Sequence, residues 1–392
     1  MRILMSIHHQ LDTNAGAPGV TLHLANALRR RGHAVDILSF DRMPFPARLK
    51  GLLYPWFVTS FIAKQPWHDV LDLSSGDGWV LSTLPRAWLG TPAPVLIARS
   101  HGLEHVMHEA RLEATRSSGQ KLSWKYPIYH GGFRLWECRM SFLHADAALF
   151  LNDGHLQYAI ERLGVHPDRA VRVRNGIADC FIERARSLMT HTLPIYSPSN
   201  IAFIGRHSDM KGSRYLCRAM RAILAASPRS TFGVFGAMVD PNVVLAEYPP
   251  ELRSRIFVVP SYRNEDLPRL LHGYHVLAFP SLSEGFATSP LEGMACGLVP
   301  VVAAAPGPMT YIENGRNGVV VPLRDADALE REIGSLLKDA RRWHDLRSRA
   351  LETAIEYTWD NVASDTEKIY EQFGHAADGE NCGRARTRAL RD

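Results

Sequence analysis

Cysteine is scarce in this chain, with five in 392 residues and no Cys-x-x-Cys pair among Cys138, Cys180, Cys217, Cys296 and Cys382. That argues against a disulfide framework and fits thiols kept reduced in a cytoplasm. No run of about 18 apolar residues occurs, so no membrane-spanning helix is expected. The start, Met1-Arg-Ile-Leu-Met-Ser-Ile7, runs into His8-His9-Gln10 without a cleavage-type region, so no signal peptide is read there. The phosphate-binding pattern G-x-x-x-x-G-K-[ST] is missing, which speaks against a P-loop ATPase. The nucleophile elbow G-x-S-x-G is missing too, which speaks against a serine hydrolase. His101, His105 and His108 are closely spaced, but there is no H-E-x-x-H and no evident third ligand, so a zinc site is rejected. No dedicated carboxylate pair for a metal stands out either, and the chemistry is expected to need no protein-bound metal.

What is present is an ordinary soluble composition, 46% apolar and 22% charged. The length exceeds that of a single core, so two domains are expected. The net charge of +5 arises in the first half of the chain. A basic half suits an anionic partner such as a membrane surface or a phosphorylated acceptor, and solubility explains it equally well. The excess is diffuse and no recognised module accompanies it, so nucleic acid is not expected as a partner.

Two stretches share one grammar. Residues 2–8 read as a buried strand, followed by the loop Asn14-Ala-Gly-Ala-Pro-Gly19, a helix over 20–31 and a strand over 34–39. The pattern restarts at Asn200-Ile-Ala-Phe-Ile-Gly205 with a helix over 211–226. Strands over 230–235, 255–259, 276–279, 299–302 and 318–321 follow, with a short helix over 264–273 and helical periodicity over 325–371. Such alternation predicts an α/β fold of two Rossmann-like, doubly wound domains, which place ligands at the carboxyl ends of their strands. Residues 184–199, with Pro194 and Pro198, read as a linker. The arginine-rich tail 374–392 reads as disordered.

The most informative stretch is Pro280-Ser-Leu-Ser-Glu-Gly-Phe-Ala-Thr-Ser-Pro-Leu-Glu-Gly-Met-Ala-Cys-Gly297. It sets Glu284 in a loop after a strand and Glu292 in the first turns of the next helix. A helix N-terminus holds an anion, and a carboxylate on each side can accept hydrogen bonds from hydroxyls. That arrangement suits a diphosphate between two sugars. A capping box with Ser289 at N-cap, Pro290 at N1 and Glu292 reaching back explains the same residues. Gly205-Arg206 and Lys211-Gly212 stand at another strand end, where the two cations can neutralise a leaving diphosphate or simply be solvated. Their place in the same half as Glu284 favours the first reading. In the N-terminal half, Gly16 and Gly19 can admit a substrate or serve a turn. His101 follows the apolar Val95-Leu-Ile-Ala98 and can bond a sugar or be structural.

Assembled, these residues resemble the retaining glycosyltransferases of the GT-B fold, in the large family 4 group. Glu284 and Glu292 stand at that family's E-x7-E spacing. Gly205-Arg206 with Lys211-Gly212 resembles its diphosphate segment, and Val173-Arg-Asn-Gly-Ile177 its Asn-Gly turn. Leu24-Ala-x-x-Leu-x-x-Arg-Gly-His33 resembles its first helix and second strand, and Thr358-Trp359 the start of its closing helix. Two glycine pairs depart from the pattern: Ala15-Gly16 replaces one, and Pro306-Gly-Pro308 the other.

The resemblance implies that Glu284 contacts the transferred sugar, Glu292 the ribose hydroxyls, and Arg206 and Lys211 the diphosphate. Gly205, Gly285, Phe286, Ala287, Thr288 and Ser289 would line the donor site, with backbone amides around 287–289 cradling phosphate. Gly16 and His101 would face the acceptor, His101 near the transferred sugar. The implied domains are 1–183 for the acceptor, a linker at 184–199, 200–357 for the nucleotide sugar, and a closing helix over 358–373 crossing back to the first domain. The donor would be a nucleoside-diphosphate sugar with no tightly bound cofactor, and the acceptor a glycan or lipid-linked hydroxyl. Residues 48–64, aromatic and flanked by cations, add an expected peripheral contact with an anionic membrane at the inner face; burial explains their apolar character as well. A nucleotide-sugar epimerase, a sugar phosphorylase and a non-catalytic binding module are the competing expectations.

Overall fold

The structure, a computed structural model, describes residues 1–65, 67–89, 92–118, 122–190 and 198–388. By packing, the chain forms two units. One gathers Met1–His108, Lys121–Asn175 and Trp359–Asp392, and the other Glu109–Gln120 and Gly176–Thr358.

The first unit is built on six strands: β1 (Arg2–Ile7), β2 (Ala34–Ser39), β3 (Val70–Ser74), β4 (Val95–Arg99), β5 (Ala147–Phe150) and β6 (Ala170–Arg172). All pair in parallel in the order β2-β1-β3-β4-β5-β6. β1, β3, β4 and β5 are buried almost throughout, as near-continuous apolar runs covered on both faces must be. The order reverses between β1 and β3, making their carboxyl ends the topological switch point. The helix that begins at Trp359 belongs to this unit. It packs on the helix Gly16–Arg30, with Arg30 paired to Asp360 at 2.8 Å, His33 to Glu367 at 2.9 Å, and His23 stacked on Trp359.

The second unit holds β7 (Ile201–Ile204), β8 (Phe232–Phe235), β9 (Ile256–Val259), β10 (Val276–Phe279), β11 (Val299–Ala303) and β12 (Val319–Val321). They too are all parallel, in the order β12-β11-β10-β7-β8-β9. Counted within the unit, this is the doubly wound order 3-2-1-4-5-6, with its switch point between β7 and β10. Its core includes Phe203, Phe232, Met220 and Trp343, all buried, and the Trp343 indole donates to the His275 carbonyl at 2.8 Å.

Both predicted sheets are therefore present, with differences in detail. β3, β5 and β6 were not read from the sequence. Residues 179–189, half of which fell in the expected linker, form a helix instead. Phe181, Ile182 and Ala185 are buried, and the helix packs on Thr288–Ala295 and Ala340–Ala354 of the second unit. Residues 191–197 of that linker lie outside the described residues. The closing helix runs Trp359–Arg388, beyond the expected end at 373. Residues 374–388 include Gly374, Gly379 and Gly383, so local helix propensity does not account for this extension. Residues 389–392 lie outside the described residues.

Candidate functional site

The second unit's switch point is where the candidate donor residues meet. After β7 the chain turns through Gly205, whose φ of 148° is open to glycine alone, and a short turn Asp209–Lys211 brings it to the helix Ser213–Ala226. After β10 the chain enters Pro280–Ala287. A backbone bond ties the two loops, with Leu282 N–H donating to the Met210 carbonyl at 2.9 Å. Gly212 locks them, for a Cβ there would lie 2.0 Å from the Pro280 carbonyl oxygen.

Lys211 and Glu284 meet across this junction. Lys211 Nζ lies 2.5 Å from Glu284 Oε1, over the Phe279 ring at 5.7 Å. Ser281 Oγ donates to the same Oε1 at 2.5 Å. Both donors converge on one oxygen and leave Oε2 without a hydrogen-bond partner among the described residues. The loop's rear is closed by Gly307, where a Cβ would come within 2.8 Å of Glu284 Cβ and 3.0 Å of its carbonyl oxygen. The Pro306-Gly-Pro308 turn thus backs Glu284 directly. Arg206 is exposed and makes no ion pair or hydrogen bond among the described residues, so Lys211 alone of the two cations is drawn to Glu284.

The helix after the loop spans Thr288–Ala295, and its N-cap is Ala287, not Ser289. The capping box is therefore corrected: Ser289 is the second helical residue, and no side chain caps this end. Ala287 sits at φ 66°, a left-handed conformation that L residues other than glycine adopt at a cost of about 1 kcal/mol or more. Its carbonyl is held by the Tyr311 hydroxyl. Phe286, Tyr311 and Tyr357 pack beneath it with ring centroids 5.3–6.0 Å apart. This arrangement leaves the Thr288 and Ser289 amides uncapped at the positive end of a helix, a setting that favours negative charge.

Glu292 is buried and hydrogen-bonded to Thr288, one turn earlier. Burial pushes its carboxyl up to about 7, opposed by that hydrogen bond. Burial, then the Glu292 charge, raises the Tyr262 phenol, whose ring closes against Gly236 at the end of β8. A ligand hydroxyl reaching Glu292 would meet a carboxyl able to accept or donate near neutral pH.

Asp325-Ala326-Asp327 is an Asp-x-Asp triplet in the sequence, and the structure makes it a helix start. Asp325 caps the helix Ala326–Lys338 by accepting from Ala328 N–H at 2.8 Å, and Asp327 pairs with Arg218 at 2.7 Å. Among the described residues no group of three or more His, Cys, Asp or Glu is arranged to hold a metal ion.

In the first unit Gly16 opens the helix Gly16–Arg30 with free space at its α-carbon. Gly19 serves the turn, since a Cβ there would lie 2.8 Å from the Thr13 carbonyl oxygen. His101 follows β4; burial and then Arg99 push it down to about 3, which keeps its ring neutral at physiological pH. The β1/β3 switch point holds a network that the sequence did not reveal. Asp77 is fully buried, accepts from Ser6 Oγ at 2.8 Å and contacts His8 Nδ1 at 2.9 Å. Arg134 lies 3.2 Å from both ring nitrogens of His8, so it sits over the ring face, and 3.4–3.9 Å from Glu137, Glu104 and Asp77. His8 and Asp77 are far apart in sequence, and only their place at adjacent strand ends could have joined them.

Residues 198–339 match the family model described as glycosyl transferases group 1. That segment contains Arg206, Lys211, Ser281, Glu284 and Glu292. The chain is 32% identical to the D-inositol 3-phosphate glycosyltransferase of Salinispora tropica over 230 residues, 54% of this chain and 48% of that protein. The chain thus spans about half the length of the curated relatives it matches. Sucrose-phosphate synthase from Thermosynechococcus elongatus has a TM-score of 0.72 at 19% identity, covering 96% of this chain and 99% of that one. Anabaena HepE, solved with UDP and glucose, has a TM-score of 0.66 at 16% identity, covering 95% and 100%. At such identities these likenesses show the fold: α/β, two parallel six-stranded sheets, with GT-B glycosyltransferases as structural neighbours.

Proposed function

We propose that this protein is a glycosyltransferase that moves a sugar from a nucleoside-diphosphate sugar to an acceptor hydroxyl with retention of anomeric configuration. The observation that carries the reading is the meeting of Lys211 and Glu284 beside an uncapped helix start, at the switch point of a segment matching group 1. In this reading Lys211, Arg206 and the Thr288 and Ser289 amides stabilise charge on the departing diphosphate. Glu284 Oε2 takes hydroxyls of the transferred sugar, and Glu292 those of the ribose. The leaving phosphate helps to accept the acceptor's proton, and no metal is required. Gly16 and His101 serve the acceptor, a glycan or lipid-linked hydroxyl in cell-surface glycan or glycolipid synthesis.

We place the enzyme in the cytoplasm with peripheral contact at an anionic inner membrane face. In support, the helix Ala47–Lys64 exposes Leu49, Leu52 and Trp56. Trp56 meets Trp79, which in turn meets the exposed Phe133 and Trp136, giving an aromatic surface of the kind found at membrane interfaces. No helix among the described residues is long and apolar enough to cross a membrane.

The test begins with a thermal-shift screen of UDP-, GDP- and ADP-sugars, since a ligand of the native state raises apparent stability. NMR of the products in the presence of EDTA and an acceptor panel follows. Transfer with retention supports the proposal. Phosphate-dependent cleavage identifies a phosphorylase, acceptor-free isomerisation an epimerase, and binding without turnover a non-catalytic module. Lys211→Ala and Arg206→Ala are expected to lower turnover at least 100-fold in folded protein, and wild-type rates in both would overturn the assignment. Flotation with anionic vesicles at low salt tests the membrane contact.

A further inference from the structure

Lys211 is needed by the diphosphate, yet in the ligand-free site it is already engaged, 2.5 Å from Glu284 Oε1. The loops bearing the pair are tied together: Leu282 N–H donates to the Met210 carbonyl at 2.9 Å, Gly212 lies against Pro280, and Gly307 closes behind Glu284. Ser281, wholly buried, donates to the same Oε1 at 2.5 Å and holds the carboxylate oriented. Only 12% of the Glu284 side chain and 30% of the Lys211 side chain are exposed, so water screens their interaction weakly. A diphosphate entering beside Lys211 therefore meets a fixed negative charge and must share the cation that neutralises it.

We infer that Glu284 competes with the diphosphate for Lys211, and that this competition makes the site discriminate between an intact donor and a bare diphosphate. The inference rests on the donor-site reading above and assigns Glu284 a second role within it, as a specificity-determining charge. An intact nucleotide sugar brings hydroxyls that donate to Glu284, replacing what Lys211 gives up, and such charge-assisted bonds are strong. A spent nucleoside diphosphate has no group to offer, so the repulsion stands and the product is held less firmly. Ser281 acts as the positioning residue that keeps Oε1 facing Lys211 and Oε2 toward the ligand.

The test is calorimetric titration of wild type, Glu284→Gln and Glu284→Ala with inorganic pyrophosphate, UDP, GDP, ADP and UDP-glucose, each variant checked for folding by thermal denaturation. A unit charge within a few ångströms of a partly shielded anion supports an effect of about tenfold or more. Both neutral variants are expected to bind pyrophosphate and the recognised nucleoside diphosphate about tenfold more tightly, while the preference for the intact sugar nucleotide over the diphosphate shrinks. Agreement between the Gln and Ala variants assigns the gain to lost charge rather than to changed shape. Equal or weaker diphosphate binding by both variants, with wild-type binding measurable, overturns the competition alone. No diphosphate binding by any of the proteins overturns the donor-site reading along with it. Binding by the neutral variants but not by wild type is the competition at its strongest.

Discussion

Glu292 shows how one buried carboxyl can record its own setting. Its protonation is favoured by burial, which lifts the carboxyl to about 7 against the Thr288 hydrogen bond. An acid whose folded pKa lies above its unfolded value near 4.3 is more protonated in the native state. Its contribution to stability therefore falls as pH rises from about 4.5 to 7 and stays flat above. Glu137, also lifted to about 7 by burial, acts in the same direction, while His101 and His155, pushed down to about 3 and 4, act in the opposite one. Only a difference between variants isolates Glu292. Glu292→Gln removes its slope, so the variant should gain on wild type between pH 5 and 7.5, by at most about 3 kcal/mol. Urea denaturation across that range measures the gap, and a constant difference would show that Glu292 does not titrate there.

At the scale of elements, the junction between the β7 and β10 loops depends on Gly212. Two separate costs attach to a side chain there: a φ of 74°, and a Cβ placed 2.0 Å from the Pro280 carbonyl. Gly273, at φ 83° with nothing within 4 Å of an added Cβ, carries the first cost without the second. Gly273→Ala should cost about 1 kcal/mol, and Gly212→Ala about 3 kcal/mol or more with loss of pyrophosphate binding. Equal costs in urea denaturation would mean that the loops are not wedged together. Sequence showed this junction in outline, because Val276–Phe279 is a fully buried parallel strand and reads as an unbroken apolar run. It also brought Lys211 and Glu284 to corresponding strand ends. It could not show that they touch, since that depends on the close approach of two loops. Nor could it show that the helix starts one residue after Ala287: Ser289-Pro290 carries the stronger local signal, and tertiary contacts from Tyr311 override it. β5 and β6 were too short for periodicity, and the helix 179–189 lay beside prolines that suggested a linker.

The whole molecule is threaded so that its last helix completes its first sheet. Tyr370, almost wholly buried, donates to Asp72 Oδ2 at 2.5 Å, and Asp72 on β3 is held by Arg99 on β4 through bonds of 2.6–3.0 Å. Burying Asp72 and Arg99 together is tolerable because each is paired, and the phenol supplies a further donor from the far end of the chain. The second unit has no residue in this triad. Tyr370→Phe should therefore destabilise the first unit by about 1–2 kcal/mol, the usual cost of one lost donor to a buried charged group. Arg99→Met should cost more, about 3–5 kcal/mol, because it leaves the carboxylate unpaired. Hydrogen exchange followed by mass spectrometry separates the two units. Faster exchange in β1, β3 and β4 with β7, β8 and β10 unchanged is the expected result. Equal acceleration in both sheets would show that the units unfold as one body, and that the closing helix stabilises the entire chain rather than the sheet it completes.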